Sequence, residues 1–129
     1  MNNEYQKNIQ EEEMSFAFDN AMSELGQTFN FDKLENAIIN PGAIINLSHC
    51  YNLIKMVFEG SGAKVSVSLY EPHQSTGCIS IRGKKIKIYN TDKFVKAMRL
   101  SSNFETYANA DGSTQINLTF NGLVKYIED

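Results

Sequence analysis

Apolar residues step by three and four through Met14, Phe18, Met22 and Leu25, with Phe16 and Ala21 beside them. That spacing marks one face of a helix. Gly26 follows as a C-terminal stop, because glycine enters left-handed backbone without a Cβ clash. Asp32-Lys33-Leu34-Glu35 has the polar-x-x-Glu form of a capping box. It predicts a short helix from about Lys33 to Ile39. Asn40-Pro41-Gly42 breaks that helix, since a residue before proline is pushed out of helical geometry. The strongest helical period comes next, at Ile44, Leu47, Tyr51, Ile54 and Phe58. Cys50, Leu53 and Val57 widen the stripe, which predicts a helix largely buried against a sheet. Gly60 and Gly62 end it.

The period then switches to two. Val65, Val67 and Leu69 alternate with Lys64, Ser66, Ser68 and Tyr70, the pattern of a half-buried strand. A loop spans Glu71 to Gly77. Ile79 and Ile81 face one way, and Ile86 and Ile88 do so after an Arg82-Gly83 turn. The pattern predicts a hairpin whose outer face carries Lys85, Lys87 and Tyr89. Asn90 or Thr91 caps a helix with Phe94, Val95 and Met98 inward. A second hairpin is centred on Ala110-Asp111-Gly112. Its apolar positions, Phe104, Ile116, Leu118 and Phe120, are all even-numbered. A three-residue loop pairs even with even, so a type I turn with a G1 bulge at Gly112 is expected. Asn121 caps a last short helix carrying Leu123, Val124 and Ile127. The predicted fold is α+β: N-terminal helices, then α-β-β-β-α-β-β-α, an antiparallel sheet with helices mainly on one face.

The 129 residues make a single domain, with residues 1–12 polar enough to fray. Apolar residues are 42% and charged residues 21%, which argues against wholesale disorder. No apolar run approaches the roughly 20 residues that span a bilayer. The start, Met1-Asn2-Asn3-Glu4, then Glu11-Glu12-Glu13, lacks the basic and apolar parts of a secretory signal. A cytoplasmic protein without a membrane partner is expected. Cys50 and Cys78 both fall in apolar patterns and read as buried free thiols. With two His and no CxxC, neither a metal site nor a cofactor is expected. The many Asn, Ile and Lys residues suggest an AT-rich genome, that of a bacterium or a phage.

From Ala43 onward the predicted order resembles the secretion-chaperone fold, whose members are small, acidic, dimeric proteins that bind other polypeptides. The N-terminal helical segments depart from that pattern. Ala43 to Ser101 is similar in order to a double-stranded-RNA-binding domain. That family opens its last helix with a Lys-Lys pair, whereas Lys84-Lys85 here opens a predicted strand. Neither resemblance assigns a functional residue to this chain.

Charge is segregated. Arg82, Lys84, Lys85, Lys87, Lys93, Lys96 and Arg99 stand against the single acid Asp92, seven against one, a local charge of +6. The other five basic residues and fourteen acids leave −9, and the chain totals −3. The basic stretch reads as a solvated face, a protein contact or a nucleic-acid strip; the acidic pI of about 5.4 pulls against the last. Glu11 to Glu13 either fit the N-terminus of a helix dipole or mimic phosphates and dock on a basic partner. Tyr70, Tyr89 and Tyr107 fall on outward positions, where aromatics either mark an interface or simply favour strands.

No Walker loop, GxGxxG, HExxH or GxSxG occurs. His49 and Cys50 are adjacent, so on a helix they point apart. The remaining catalytic pairing is Cys78 with His73 in the preceding loop. The leading expectation is therefore a non-enzymatic protein-protein interaction module, an adaptor, chaperone-like protein or inhibitor. It is expected to be a homodimer whose partner is acidic. The binding residues would be Tyr70, Lys85, Lys87, Tyr89, Lys93, Lys96 and Tyr107. One alternative is a nucleic-acid-binding regulator using the 82–99 strip; another is a small thiol-dependent enzyme.

Overall fold

A sheet of four antiparallel strands, with three described helices, organises the chain. The structure, a computed structural model, describes residues 16–26, 36–69, 74–88 and 90–127. The element order is α1 (16–25), β1 (Ala37–Ile39), α2 (Pro41–Val57), β2 (Lys64–Leu69), β3 (Gly77–Gly83), α3 (Thr91–Leu100), β4 (Asn103–Ala108), β5 (Thr114–Phe120) and β6 (Val124–Tyr126). The main sheet runs β2-β3-β5-β4, and β1 pairs with β6 in a second sheet. All of these pairings are antiparallel. The expected α+β class is observed.

The core forms where the helical and strand periods face each other. α2 buries Ile44, Leu47, Cys50, Leu53, Ile54 and Val57. Across from them lie Ile79 and Ile81 of β3 and Ile116, Leu118 and Phe120 of β5, in one continuous cluster. Side chains of this size each contribute roughly 1.5–3 kcal/mol on full burial. α3 joins through Phe94, whose ring meets Phe58 edge to face at 5.9 Å and Phe104 at 6.5 Å. The Cys50 thiol donates to Ala97 O at 3.4 Å and ties α2 to α3. α1 buries Ala21 and Leu25, and its Glu24 carboxylate accepts from Ser48 Oγ and Asn52 Nδ2 on α2.

The local stop and start signals act as their chemistry dictates. Gly26 closes α1 at φ +63°. The side-chain oxygens of Asn40 and Asn90 accept from Ala43 N and Lys93 N at the starts of α2 and α3. In the β4–β5 hairpin Gly112 N–H bonds Asn109 O with Gly112 at φ +85°, the expected turn with its G1 bulge. The even positions pair as predicted, Phe104 with Leu118 and Thr106 with Ile116.

Three expected elements differ. Ala37–Ile39 is a strand rather than the end of a helix; the capping box at Asp32–Glu35 lies outside the described residues. Val124–Tyr126 is likewise a strand rather than a last helix. Each segment is too short to repay helix nucleation, and the two satisfy each other's backbone, Ala37 opposite Tyr126 and Ile39 opposite Val124. Residues 86–88 form no hairpin with β3, because β3 is paired with β2 on one edge and β5 on the other. Ile86 and Ile88 still pack half-buried against the core. Within α3, Val95 points outward at 38% exposure, and Ala97 takes the buried position instead. The α-β-β-β-α-β-β-α order behind the two family resemblances is thus not formed.

Gly77 marks the tightest approach of sheet and helix. A Cβ there would sit 2.9 Å from Leu47 Cδ2 and 3.0 Å from Leu123 Cδ1, both on fully buried side chains. Gly77→Ala is expected to lower stability by about 1–3 kcal/mol in urea unfolding. Unchanged stability would mean that both leucines turn aside at no cost.

Candidate interaction surface

The second face of the main sheet is polar. Register places Ser68, Cys78, Thr119 and Asn103 in one row, Ser66, Ser80, Asn117 and Glu105 in the next, and Lys64, Arg82, Gln115 and Tyr107 in a third. Period-two alternation makes this face the necessary complement of the apolar one. Its amides and hydroxyls bond each other: Ser80 Oγ donates to Asn117 Oδ1 at 2.9 Å, and Gln115 Nε2 to the same oxygen at 3.0 Å. Lys64, Ser66, Ser80, Arg82 and Gln115 line a shallow hollow of about 300 Å³.

Strand β4 closes one side of this sheet. It pairs only with β5 among the described residues, and all its residues are exposed. Phe104 is 41% exposed and Tyr107 44%. Backbone direction follows from the turn. Asn109 N–H bonds Ser113 O at 2.8 Å, continuing the register that pairs Ala108 with Thr114. Alternation along an antiparallel ladder then turns the odd-numbered β4 residues toward β5. The N–H and C=O groups of Phe104, Thr106 and Ala108 point away from the sheet. Edge strands are usually guarded by lysine, proline or a bulge. β4 carries only Glu105, whose carboxylate accepts from Asn103 Nδ2 at 3.3 Å and from the Tyr107 hydroxyl. That bond to Glu105 holds the Tyr107 hydroxyl pKa above the ordinary phenol value, helped by desolvation.

The hairpin end is clamped from β3. Arg82 Nη2 donates to Asp111 Oδ2 at 2.8 Å, and its Nε to Ser113 Oγ at 3.2 Å. Asp111 Oδ1 accepts from Ser113 N at 2.9 Å and from Ser113 Oγ. These bonds, the Ser113 hydroxyl first, then the Ser113 N–H and Arg82, hold the Asp111 carboxyl at about 2.

The sequence-predicted site residues separate in three dimensions. Tyr70 and Tyr89 lie outside the described residues. Lys85 and Lys87 are exposed on the irregular 84–88 segment rather than on an outer strand face. Lys93, half-buried, and Lys96, exposed, belong to α3. Asp92, Val95, Lys96, Arg99 and Leu100 line a hollow of about 490 Å³ on that helix. Arg82 sits on the polar face, whereas α3 packs on the apolar side through Phe94. The basic stretch is therefore divided between the two sides of the sheet. Tyr107 is on the polar face, as expected of an outward residue.

Phe104 is what periodicity misplaces. Its even position puts it on the core side, but an edge strand leaves half the ring uncovered. The Arg82–Asp111 clamp also has no local sequence signal, since its partners are 29 residues apart. Gln74, buried with φ +55°, is a further unusual position, because residues with a Cβ rarely take left-handed backbone.

Both cysteines are free and buried, as expected, and the alternative of a thiol-dependent enzyme finds little geometry among the described residues. Cys50 is buried, and desolvation pushes its thiol up to about 12. His49 beside it is exposed, so the two point apart. Cys78 is 3% exposed with Ser80 Oγ at 3.8 Å, and His73 lies outside the described residues. Among the described residues no group of three His, Cys, Asp or Glu is gathered as metal ligands would be. No described helix is long and apolar enough to cross a membrane. Compared with known families, curated proteins and solved structures, the chain matches none.

Two measurements test this geometry. Asp111 has a folded pKa below its unfolded value, so its contribution is complete above about pH 4 and lost as pH falls toward 2. Acid unfolding of Asp111→Asn should show a weaker pH dependence across that window than the parent; an identical profile would remove the clamp. Alkylation of the folded chain should modify Cys50 and Cys78 far more slowly than the unfolded chain. Rapid reaction at Cys78 would instead mark an open, activated thiol.

Proposed function

We propose that this protein is a non-enzymatic interaction module that takes up a polypeptide strand along the free edge of β4. The observation that carries the reading is an exposed strand whose outward backbone groups, at Phe104, Thr106 and Ala108, are aligned and unguarded by lysine or proline. Strand addition satisfies such groups directly, and alternate side chains supply selectivity. Phe104 would cover the incoming strand on one face and Tyr107 on the other. Lys85 and Lys87 support an acidic partner, since exposed charge beyond a docking edge raises the encounter rate more than the final affinity. They follow Gly83, which shares a register row with Thr114 and Ala108 at the hairpin end of the sheet.

Proline is tolerated on an edge strand where its missing N–H would face solvent. Thr106→Pro should therefore keep the circular dichroism spectrum while weakening partner binding at least about tenfold, the loss of one to two hydrogen bonds. Lys85→Glu with Lys87→Glu should slow association and flatten its salt dependence. Undiminished binding by Thr106→Pro and by Tyr107→Ala would refute the reading. Binding of labelled nucleic acid that falls steeply with salt, and survives Thr106→Pro, would favour the regulator alternative.

A further inference from the structure

The β4 edge carries a specific symmetry constraint. A second copy of the chain can add to it about a two-fold axis only if strands run antiparallel and like faces adjoin. Paired residue numbers then sum to an even value, and one residue sits opposite itself. Centring on Glu105 would oppose the two carboxylates, which is destabilising for residues directly across a ladder. Centring on Phe104 would carry Ala108 across from Leu100, inside α3, and leave little strand to pair. Centring on Thr106 has neither fault. It sets Glu105 opposite Tyr107 of the second copy, so that the two carboxylates no longer face each other, and the large Phe104 ring against the small Ala108. It also makes Thr106 a mutually bonded pair and matches the outward groups of Phe104 with those of Ala108, so every outward group of β4 finds a partner.

We infer that the strand taken up by β4 is β4 of a second copy, centred on Thr106, joining two four-stranded sheets into one continuous sheet. This rests on the reading of β4 as a docking edge and names its occupant. The occupant follows from complementarity: in mirrored order the same short stretch sets its large ring against its small residue, keeps like carboxylates apart and matches its outward backbone groups.

The test uses the full chain in sedimentation velocity over a concentration series, with cross-linking through one introduced cysteine for register, Cys50 and Cys78 being buried. The parent should form dimers, and Thr106→Pro should raise the dissociation constant at least about tenfold. Thr106→Cys should form an intermolecular disulfide under mild oxidation, because opposed Cα atoms of a bonded pair lie about 5.5 Å apart. Glu105→Cys should cross-link less readily. The cross-link reads the register even if the proline variant fails to fold. A parent that stays monomeric at every concentration, or a dimer unaffected by Thr106→Pro, overturns the inference; preferential cross-linking at Glu105→Cys overturns the register. A monomeric parent that binds a foreign strand, and loses it on Thr106→Pro, would overturn self-pairing alone and leave the docking edge standing.

Discussion

A strand has two edges, and β3 spends both inside the sheet, on β2 and β5. The rest of the architecture depends on that. With β3 central, Ile79 and Ile81 become the floor on which α2 lies, and neither retains any exposure. The residues after Gly83 find both edges of β3 taken, and 84–88 form no strand. Among the described residues the sheet ends at β2 and β4. The β4 edge is therefore a consequence of where β3 sits.

The sheet's two faces divide stability from chemistry. One face and the helices over it account for the buried cluster, from Leu47 and Ile54 to Leu118 and Leu123. The other holds hydroxyls, amides and a few charges that bond one another across rows. Burial of apolar surface is non-directional, so the first face tolerates any residues that fill it. Hydrogen-bonded rows are directional, and a change at Ser80 or Asn117 would alter only its neighbours. Among the described strands of the main sheet, β4 is where the two regimes meet at an exposed position, Phe104 on one side and Tyr107 with Glu105 on the other. That makes it the natural place for a partner to engage without disturbing the core.

Much of the fold was legible in the chain. The stripe from Ile44 to Phe58, the alternation at Val65–Leu69 and the parity of Ile116, Leu118 and Phe120 each report a real burial pattern. Asn90 as a cap and Gly112 as a bulge followed from backbone chemistry within a few residues. The candidate site was far less legible. Tyr107 was placed correctly because facing is a period-two property. The basic stretch looked unified because its residues are close in sequence, yet Arg82 serves as a clamp on the polar face and Lys96 and Arg99 line a helix on the other side. Nothing in the order Asn103-Phe104-Glu105-Thr106-Tyr107-Ala108 announces that this strand is terminal in its sheet.

By itself, then, the sequence determined the periods, the stops and the sidedness of each long element, because these depend on residues a few positions apart. The tertiary structure alone decided which backbones pair. Ala37–Ile39 and Val124–Tyr126 are strands because they meet each other across the chain. Residues 86–88 are not, because Thr114–Phe120 already holds the edge they would have used. Side-chain spacing is a local quantity, whereas a backbone donor is satisfied by whichever acceptor the whole fold brings to it.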